Sequence, residues 1–238
     1  MGRTYLDFNA TTPMPEPVRH ALAEAAVRLA GNPSSPHREG QEARQVLDEA
    51  REEVARLAGV RPGEVIFTSG GTESNNLALR GLAAAAARTA RRPPRILVSA
   101  VEHPSVLETA RDLARDGASV EILPVDRDGR VEPAVLEEAL AQGADVVSVM
   151  HANNETGVIQ PIEDLAAAAF EAGAAFHTDM CQALGKIPVD GAAARATACS
   201  LAAHKIGGPP GIGALLLRQG AAFASPMTGG AQEGRRRA

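Results

Sequence analysis

Short apolar runs alternate along this chain with longer stretches whose apolar residues recur at helical spacing. Seven runs read as strands: Glu64–Thr68, Arg95–Ala100, Ser119–Val125, Asp145–His151, Ala174–Asp179, Thr197–Ala202 and Gly213–Arg218. Several are apolar at consecutive positions, as in Val146-Val147-Ser148-Val149-Met150. Strands covered by helices on both faces read this way, and they are the strands of parallel sheets. Helical spacing runs over Pro15–Ala30 and stops at Gly31-Asn32-Pro33. It runs again over Arg38–Ala58, with Gly59 as a left-handed cap. Pro161 is expected at the first-turn position of a further helix. The alanine runs Ala83–Ala87 and Ala166–Ala169 fall inside helical patterns and read as small-residue helix faces. The alternation predicts an α/β fold: a mostly parallel, mixed sheet with helices on both faces. Ligands of such sheets sit at the carboxyl ends of the strands, so the loops after the strands are where chemistry is expected.

Composition narrows the classes. The 238 residues, 45% hydrophobic, suffice for one large domain, or for a large domain with a fragment of another. The net charge of −5 is spread over interleaved acids and bases. The basic runs, Arg91-Arg92 and Arg235-Arg236-Arg237, are short, so no nucleic-acid surface is expected. No apolar run approaches the ~18 residues of a membrane span, and Met1–Asp7 carries no apolar signal core. Two cysteines, Cys181 and Cys199, are too few for a disulfide framework and lack zinc-site spacing. No metal is therefore expected, and a reducing cytoplasm is the natural setting.

Five strand-end loops carry candidate chemistry. Thr68-Ser69-Gly70-Gly71-Thr72-Glu73-Ser74-Asn75-Asn76 turns from strand to helix, and the helix start offers free N–H groups and a positive dipole end to a phosphate. A plain capped turn has the same pattern. In Glu102-His103-Pro104-Ser105, His103 reads as a ligand, an acid–base group, a stacking ring or an ordinary loop histidine. In His151-Ala152-Asn153-Asn154-Glu155-Thr156-Gly157 the adjacent amides need partners, which a turn or a polar ligand supplies. In His177-Thr178-Asp179-Met180-Cys181-Gln182, Asp179 ends an apolar strand and is placed to pair with a buried cation. In His204-Lys205-Ile206-Gly207-Gly208, Lys205 is either surface or, at the mouth of a sheet pocket, an amine for a Schiff base.

Taken together, a phosphate cradle, a stacking ring, a strand-end Asp and a strand-end Lys are what pyridoxal 5'-phosphate (PLP) requires. The order of these loops resembles the class V aminotransferase-like PLP enzymes of fold type I, and specifically the cysteine desulfurases. The resemblance begins at Tyr5-Leu6-Asp7-Phe8-Asn9-Ala10-Thr11-Thr12-Pro13, continues through Gly31-Asn32-Pro33-Ser34-Ser35, and ends beyond Gly211-Ile212-Gly213-Ala214-Leu215. It implies that Gly71 and Thr72 hold the phosphate with help from His204. His103 stacks on the ring and moves protons, Asp179 pairs with the ring nitrogen, and Asn154 and Gln182 flank the phenolic oxygen. Lys205 forms the Schiff base, and Asn32 contacts the substrate. The implied reaction converts L-cysteine to L-alanine in a homodimer. Sulfur passes to an enzyme cysteine as a persulfide, for an iron–sulfur scaffold or another acceptor such as tRNA thiolation. A selenocysteine lyase, a class V aminotransferase and an inactive PLP-binding fragment are the alternatives.

The chain departs from the family in two places. Ala202-Ala203 stands where Ser-Gly is usual, which removes a phosphate-binding hydroxyl, and Pro210 stands where a lysine is common. Against the resemblance, residues 1–14 belong with a small domain and 15–238 form the PLP-binding large domain. The C-terminal small domain, with its mobile cysteine and carboxylate-binding arginine, is expected to be absent.

Overall fold

A computed structural model describes residues 3–189 and 195–237. Met1, Gly2, residues 190–194 and Ala238, which the domain assignment includes, lie outside the described residues. The seven expected strands form: β1 (Val65–Thr68), β2 (Arg95–Ser99), β3 (Ser119–Leu123), β4 (Val146–Ser148), β5 (Ala175–Asp179), β6 (Ala198–Ala202) and β7 (Gly213–Leu217). They make one sheet in the order β1-β7-β6-β5-β4-β2-β3. Pairing is parallel from β3 through to β6, whereas β7 runs antiparallel to both β6 and β1, so the sheet is mixed. The strand at 145–151 is shorter than its apolar run, at Val146–Ser148, although the Val149 and His151 N–H groups still donate to the β5 carbonyls of His177 and Asp179.

The helices are α1 (Glu16–Arg28), α2 (Arg38–Ala58), α3 (Gly71–Ala90), α4 (Pro104–Arg115), α5 (Pro133–Leu140) and α6 (Ile162–Glu171). Gly59 caps α2 at φ 69°, the left-handed cap read from its sequence. Pro161 caps α6 from just outside it, one position before the expected first-turn site. Both alanine runs lie in helices, α3 and α6.

Successive strand residues point to opposite faces, which splits the core in two. Leu97, Val147, Cys199 and Leu216 face one apolar cluster, shared with Ala55 and Ala58 of α2, Leu136 of α5 and Leu165 of α6. Their neighbours Ile96, Val98, Val146, Ala198, Leu215 and Leu217 face the other, shared with Leu77, Leu79 and Leu82 of α3 and Val106 of α4. Both faces are therefore covered, as consecutive apolar positions require. Gly81 of α3 admits the Phe223 ring, which a Cβ there would meet at 2.1 Å. The first helix differs: α1 has no buried residue, and Leu22 and Val27 are exposed. No helix among the described residues is long and apolar enough to cross a membrane.

Candidate active site

The carboxyl ends of β2, β4, β5 and β6 open into one cavity of about 590 Å³. Its lining includes Gly71, Thr72, His103, Asn154, Asp179, Gln182, His204 and Lys205. These eight residues come from five separate loops, and the sheet brings them together. Asn32 does not join them. Its loop precedes α2 and folds on itself, with Asn32 Oδ1 accepting from Ser34 N–H at 2.9 Å, and Asn32 lines another cavity with Arg51 and Glu233.

The floor begins at the N-terminus of α3. The cap residue, Gly70, has φ 154° and no side chain with which to satisfy the first-turn N–H groups. Beside it, a Cβ on Gly71 would meet Cys181 Sγ at 2.6 Å, so only glycine lets the loop lie this close to β5. Glu73 braces the turn by accepting from Ser69 N–H at 2.7 Å, and Arg237 holds Glu73 in turn at 2.5 Å.

Asp179 ends β5, buried at 5% exposure. Its Oδ1 accepts from Cys181 N–H at 2.9 Å and its Oδ2 from the Asn75 amide at 2.7 Å, so the carboxylate is held from two sides. Beneath it lies a fully buried histidine, His177, bonded to Ser148 Oγ at 2.8 Å and Ser200 Oγ at 3.0 Å. Burial pushes the His177 imidazole down to about 4, which keeps it neutral in the fold.

Lys205 reaches the cavity from the short turn after β6. Its Nζ donates to the main-chain carbonyls of Asn9 (2.5 Å) and Ala10 (2.9 Å). The N-terminal segment thus closes one side of the cavity. Thr12 Oγ1 pins it by donating to His204 O at 2.8 Å and accepting from Gly207 N–H at 2.7 Å. Gln182 donates to the same Asn9 carbonyl at 2.8 Å, and Lys186 reaches both Gln182 and Asn9. Burial and the neighbouring Lys205 charge lower the basicity of Lys186 and His204.

Sequence reading gives no role to Asn9, Asn75 and Ser105, which line this cavity, or to the buried Glu102, which accepts from the N–H of Met150 in its lining. Asn9 lay inside a motif that was noted but given no role. Asn75 carries a weaker signal, a polar position buried one turn into α3 among other polar residues (Thr72, Glu73, Ser74 and Asn76). Glu102 is a carboxyl 5% exposed, with Oε1 accepting from Ser99 Oγ (2.6 Å) and Met150 N–H (2.5 Å), while Oε2 has no partner. Burial, aided by the Asp179 charge and opposed by those two hydrogen bonds, pushes Glu102 up to about 8 from an ordinary 4.5. Between those values the folded chain holds a proton that the unfolded chain has released. Stability from Glu102 is therefore complete below 4.5 and is lost as pH rises toward 8, by about 1.4 kcal/mol per pH unit. Unfolded His177 titrates near 6.5 in both proteins, so the comparison isolates Glu102: over pH 6.5–8 the thermal stability of the parent should fall relative to that of Glu102→Gln. Parallel curves for the two proteins over pH 6.5–8 would show that Glu102 is ionised in the fold.

The site can do specific chemistry. It offers an anion cradle at a helix start, a buried carboxylate, an imidazole at the rim and one amine, all facing a space of ligand size. Among the described residues, no cluster of three or more His, Cys, Asp or Glu could hold a metal ion.

The chain is similar to known proteins. Residues 4–235 match the Aminotransferase class-V family. The chain is 44% identical to the cysteine desulfurase IscS of Dictyoglomus turgidum, over 98% of this chain and 59% of that protein. It is 47% identical to the IscS-like cysteine desulfurase of Mycobacterium tuberculosis, over 96% and 59%. It thus spans about three fifths of the length of these relatives. Among solved structures, a NifS-like protein superposes with a TM-score of 0.93 at 37% identity, covering 100% of this chain and 65% of that one. SspA in complex with cysteine gives 0.91 at 35% identity, covering 99% and 67%. The chain belongs to the aminotransferase class-V family, and its relatives within that family are cysteine desulfurases.

Proposed function

We propose that this chain is the cofactor-binding part of a PLP-dependent cysteine desulfurase. One observation carries the reading: the Gly71–Thr72 cradle, His103, Asp179 and Lys205 converge on a single cavity. The residues fit the cofactor. Gly70 leaves the α3 N-terminus uncapped by any side chain, which suits a phosphate, and Gly71 and Thr72 would hold it together with His204. Asp179, already fixed by Cys181 and Asn75, would take the ring nitrogen, and Asn154 and Gln182 the phenolic oxygen. His103 would cover the ring face, and Lys205 would be the point of covalent attachment. Once bound, PLP supplies an electron sink for the Cα of an amino acid.

The chain's own residues divide the rest of the work. Asp179 keeps the sink charged. Lys205 Nζ takes the Cα proton, and the carbonyls of Asn9 and Ala10 hold that amine when it is free. The segment at 9–12 narrows access for water on that side. By similarity to its relatives, the substrate is L-cysteine, the products are L-alanine and a persulfide on an enzyme cysteine, and iron–sulfur assembly or tRNA thiolation takes the sulfur. A cytoplasmic homodimer is the working form in this reading.

Borohydride reduction of the PLP-treated chain, followed by peptide mapping, tests the assignment. The label should fall on Lys205 alone and vanish in Lys205→Ala. A label on Lys186, or on no lysine, overturns it.

The departure at position 202 gives a second test. A Cβ on Gly71 would stand 3.5 Å from the Ala202 Cβ, so a hydroxyl at 202 would lie against the cradle. Ala202→Ser should tighten PLP binding by about 10- to 150-fold, the equivalent of the ~1.5–3 kcal/mol of one hydrogen bond to a charged group. Equal or weaker affinity in a titration means that another group already fills the place.

A further inference from the structure

The first turn of α3 carries a negative charge at the place proposed to take an anion. Glu73 follows Thr72 directly and lines the same cavity. Its side chain is 13% exposed, and burial acts to raise the carboxyl. The hydrogen bonds from Arg237 and Ser69 outweigh that and hold Glu73 below the ordinary carboxylate range, so it is ionised at neutral pH. A carboxylate at a helix start draws on the same dipole that would hold a phosphate, and it repels one. Arg237 lies against this carboxylate, with Nε 2.5 Å from Oε1 and Nη2 3.3 Å from Oε2. The guanidinium comes from an anchored segment. Glu233 pairs with both Nη atoms of Arg51, at 2.8 and 2.9 Å. The same two side chains occupy main-chain groups of β1, an outer strand of the sheet. Arg51 donates to Val65 O at 2.6 Å, and Glu233 accepts from Phe67 N–H at 2.9 Å. Ser225 Oγ donates to the Arg236 carbonyl at 2.8 Å. The segment that places Arg237 is thus fixed to the strand that leads into Gly71 and Thr72.

We propose that Arg237 is a positioning residue for the anion cradle: it neutralises Glu73, which opens the first turn of α3 to a dianionic phosphate. This rests on the PLP reading of the cavity and deepens it. Glu73 serves the turn through geometry, because its Oε2 holds Ser69 N–H at 2.7 Å. The cradle therefore keeps a brace whose charge opposes the ligand, and Arg237 cancels that charge. Arg237 acts through Glu73 and not as a contact of the ligand.

Three ligands test this: PLP, pyridoxal, which lacks the phosphate, and inorganic phosphate. Their dissociation constants are measured for the parent, Arg237→Gln, Glu73→Gln and the double variant. Arg237→Gln should weaken PLP and phosphate about 5- to 30-fold at ~0.01 M salt, the effect of one uncompensated charge on a nearby dianion. Pyridoxal should bind as it does to the parent. The loss should shrink to about 2-fold or less near 1 M salt, where charges are screened within ~3 Å. Glu73→Gln keeps an acceptor for Ser69 without the charge, so it should bind PLP at least as tightly as the parent. The double variant should return to within about 2-fold of the parent, as coupled partners do. Unchanged PLP binding in Arg237→Gln, an equal loss for pyridoxal, or a loss that Glu73→Gln does not reverse overturns the proposal. Should Arg237→Gln not fold, Glu73→Gln decides, and weaker PLP binding there overturns it. The phosphate arm separates the two readings. If the parent binds phosphate but not PLP, and Arg237→Gln weakens the phosphate, the cofactor reading fails and the role of Arg237 stands. If PLP binds without regard to Arg237, the cofactor reading stands and the role of Arg237 falls. If neither ligand binds, both fall.

Discussion

Asp179→Ala will retain PLP through the cradle at α3 but will exchange the Cα proton of a bound amino acid about 10²–10⁴-fold more slowly. In the proposed reading the phosphate contacts would come from Gly71, Thr72 and His204, none of which needs the carboxylate. The rate depends on it, because a buried charge that loses its partner costs about 3–5 kcal/mol, and the ring nitrogen needs that partner while electrons flow from Cα. Asp179 is well suited to the task. The Cys181 N–H and the Asn75 amide hold its two oxygens, so no reorganisation accompanies the reaction. Exchange of the Cα proton into deuterated water, followed by proton NMR on alanine, measures the effect. Exchange at the parent rate removes Asp179 from this role, and loss of PLP in the variant would make it a binding residue instead.

The second large effect concerns sulfur. The 238 residues alone, loaded with PLP and given cysteine and a reductant, should release no alanine or sulfide above background. A persulfide needs a thiolate that can reach the substrate sulfur, and this chain offers two cysteines. Cys199 is in the middle of β6, where burial pushes its thiol up to about 12. Cys181 lies in the cavity floor against the Gly71 cradle. Burial first, then the Asp179 charge, pushes its thiol well above the ordinary value. Neither is a mobile nucleophile. Turnover that disappears in Cys181→Ser would show that the floor cysteine does move, and would reverse this conclusion.

The fold was legible because its signals are redundant. Every strand was marked by an apolar run, and the ends of β2, β5 and β6 were marked by polar residues that interrupt those runs. The site residues on those ends, His103, Asp179 and Lys205, were therefore readable as well. What stayed hidden has a common cause. Asn75, Ser105 and Asn9 matter through what they touch across long separations: Asn75 meets Asp179, and Asn9 meets both Asn154 and Lys205. Periodicity carries no record of such pairings. Asn32 shows the converse. Its motif was conspicuous, yet its loop belongs to a different cavity, because a local turn, not the sheet, fixes where it points.

The antiparallel pairing of β1 with β7 has a consequence for how the chain folds. Thr68, immediately before the phosphate cradle, is in register with Gly213, some 145 residues later. At about 5–20 residues per second of synthesis, β1 waits about 7–30 s for β7, its one neighbour in the sheet among the described residues. Most parallel pairs of β2 to β6 can form in that interval. The turn after β1 is thus among the last features to mature, and a nascent chain shorter than about 217 residues presents an unpaired strand edge beside the candidate cavity. Any ligand of that cavity would be captured only after β7 is made, and the window before then is when the chain is most exposed to chaperones and to self-association.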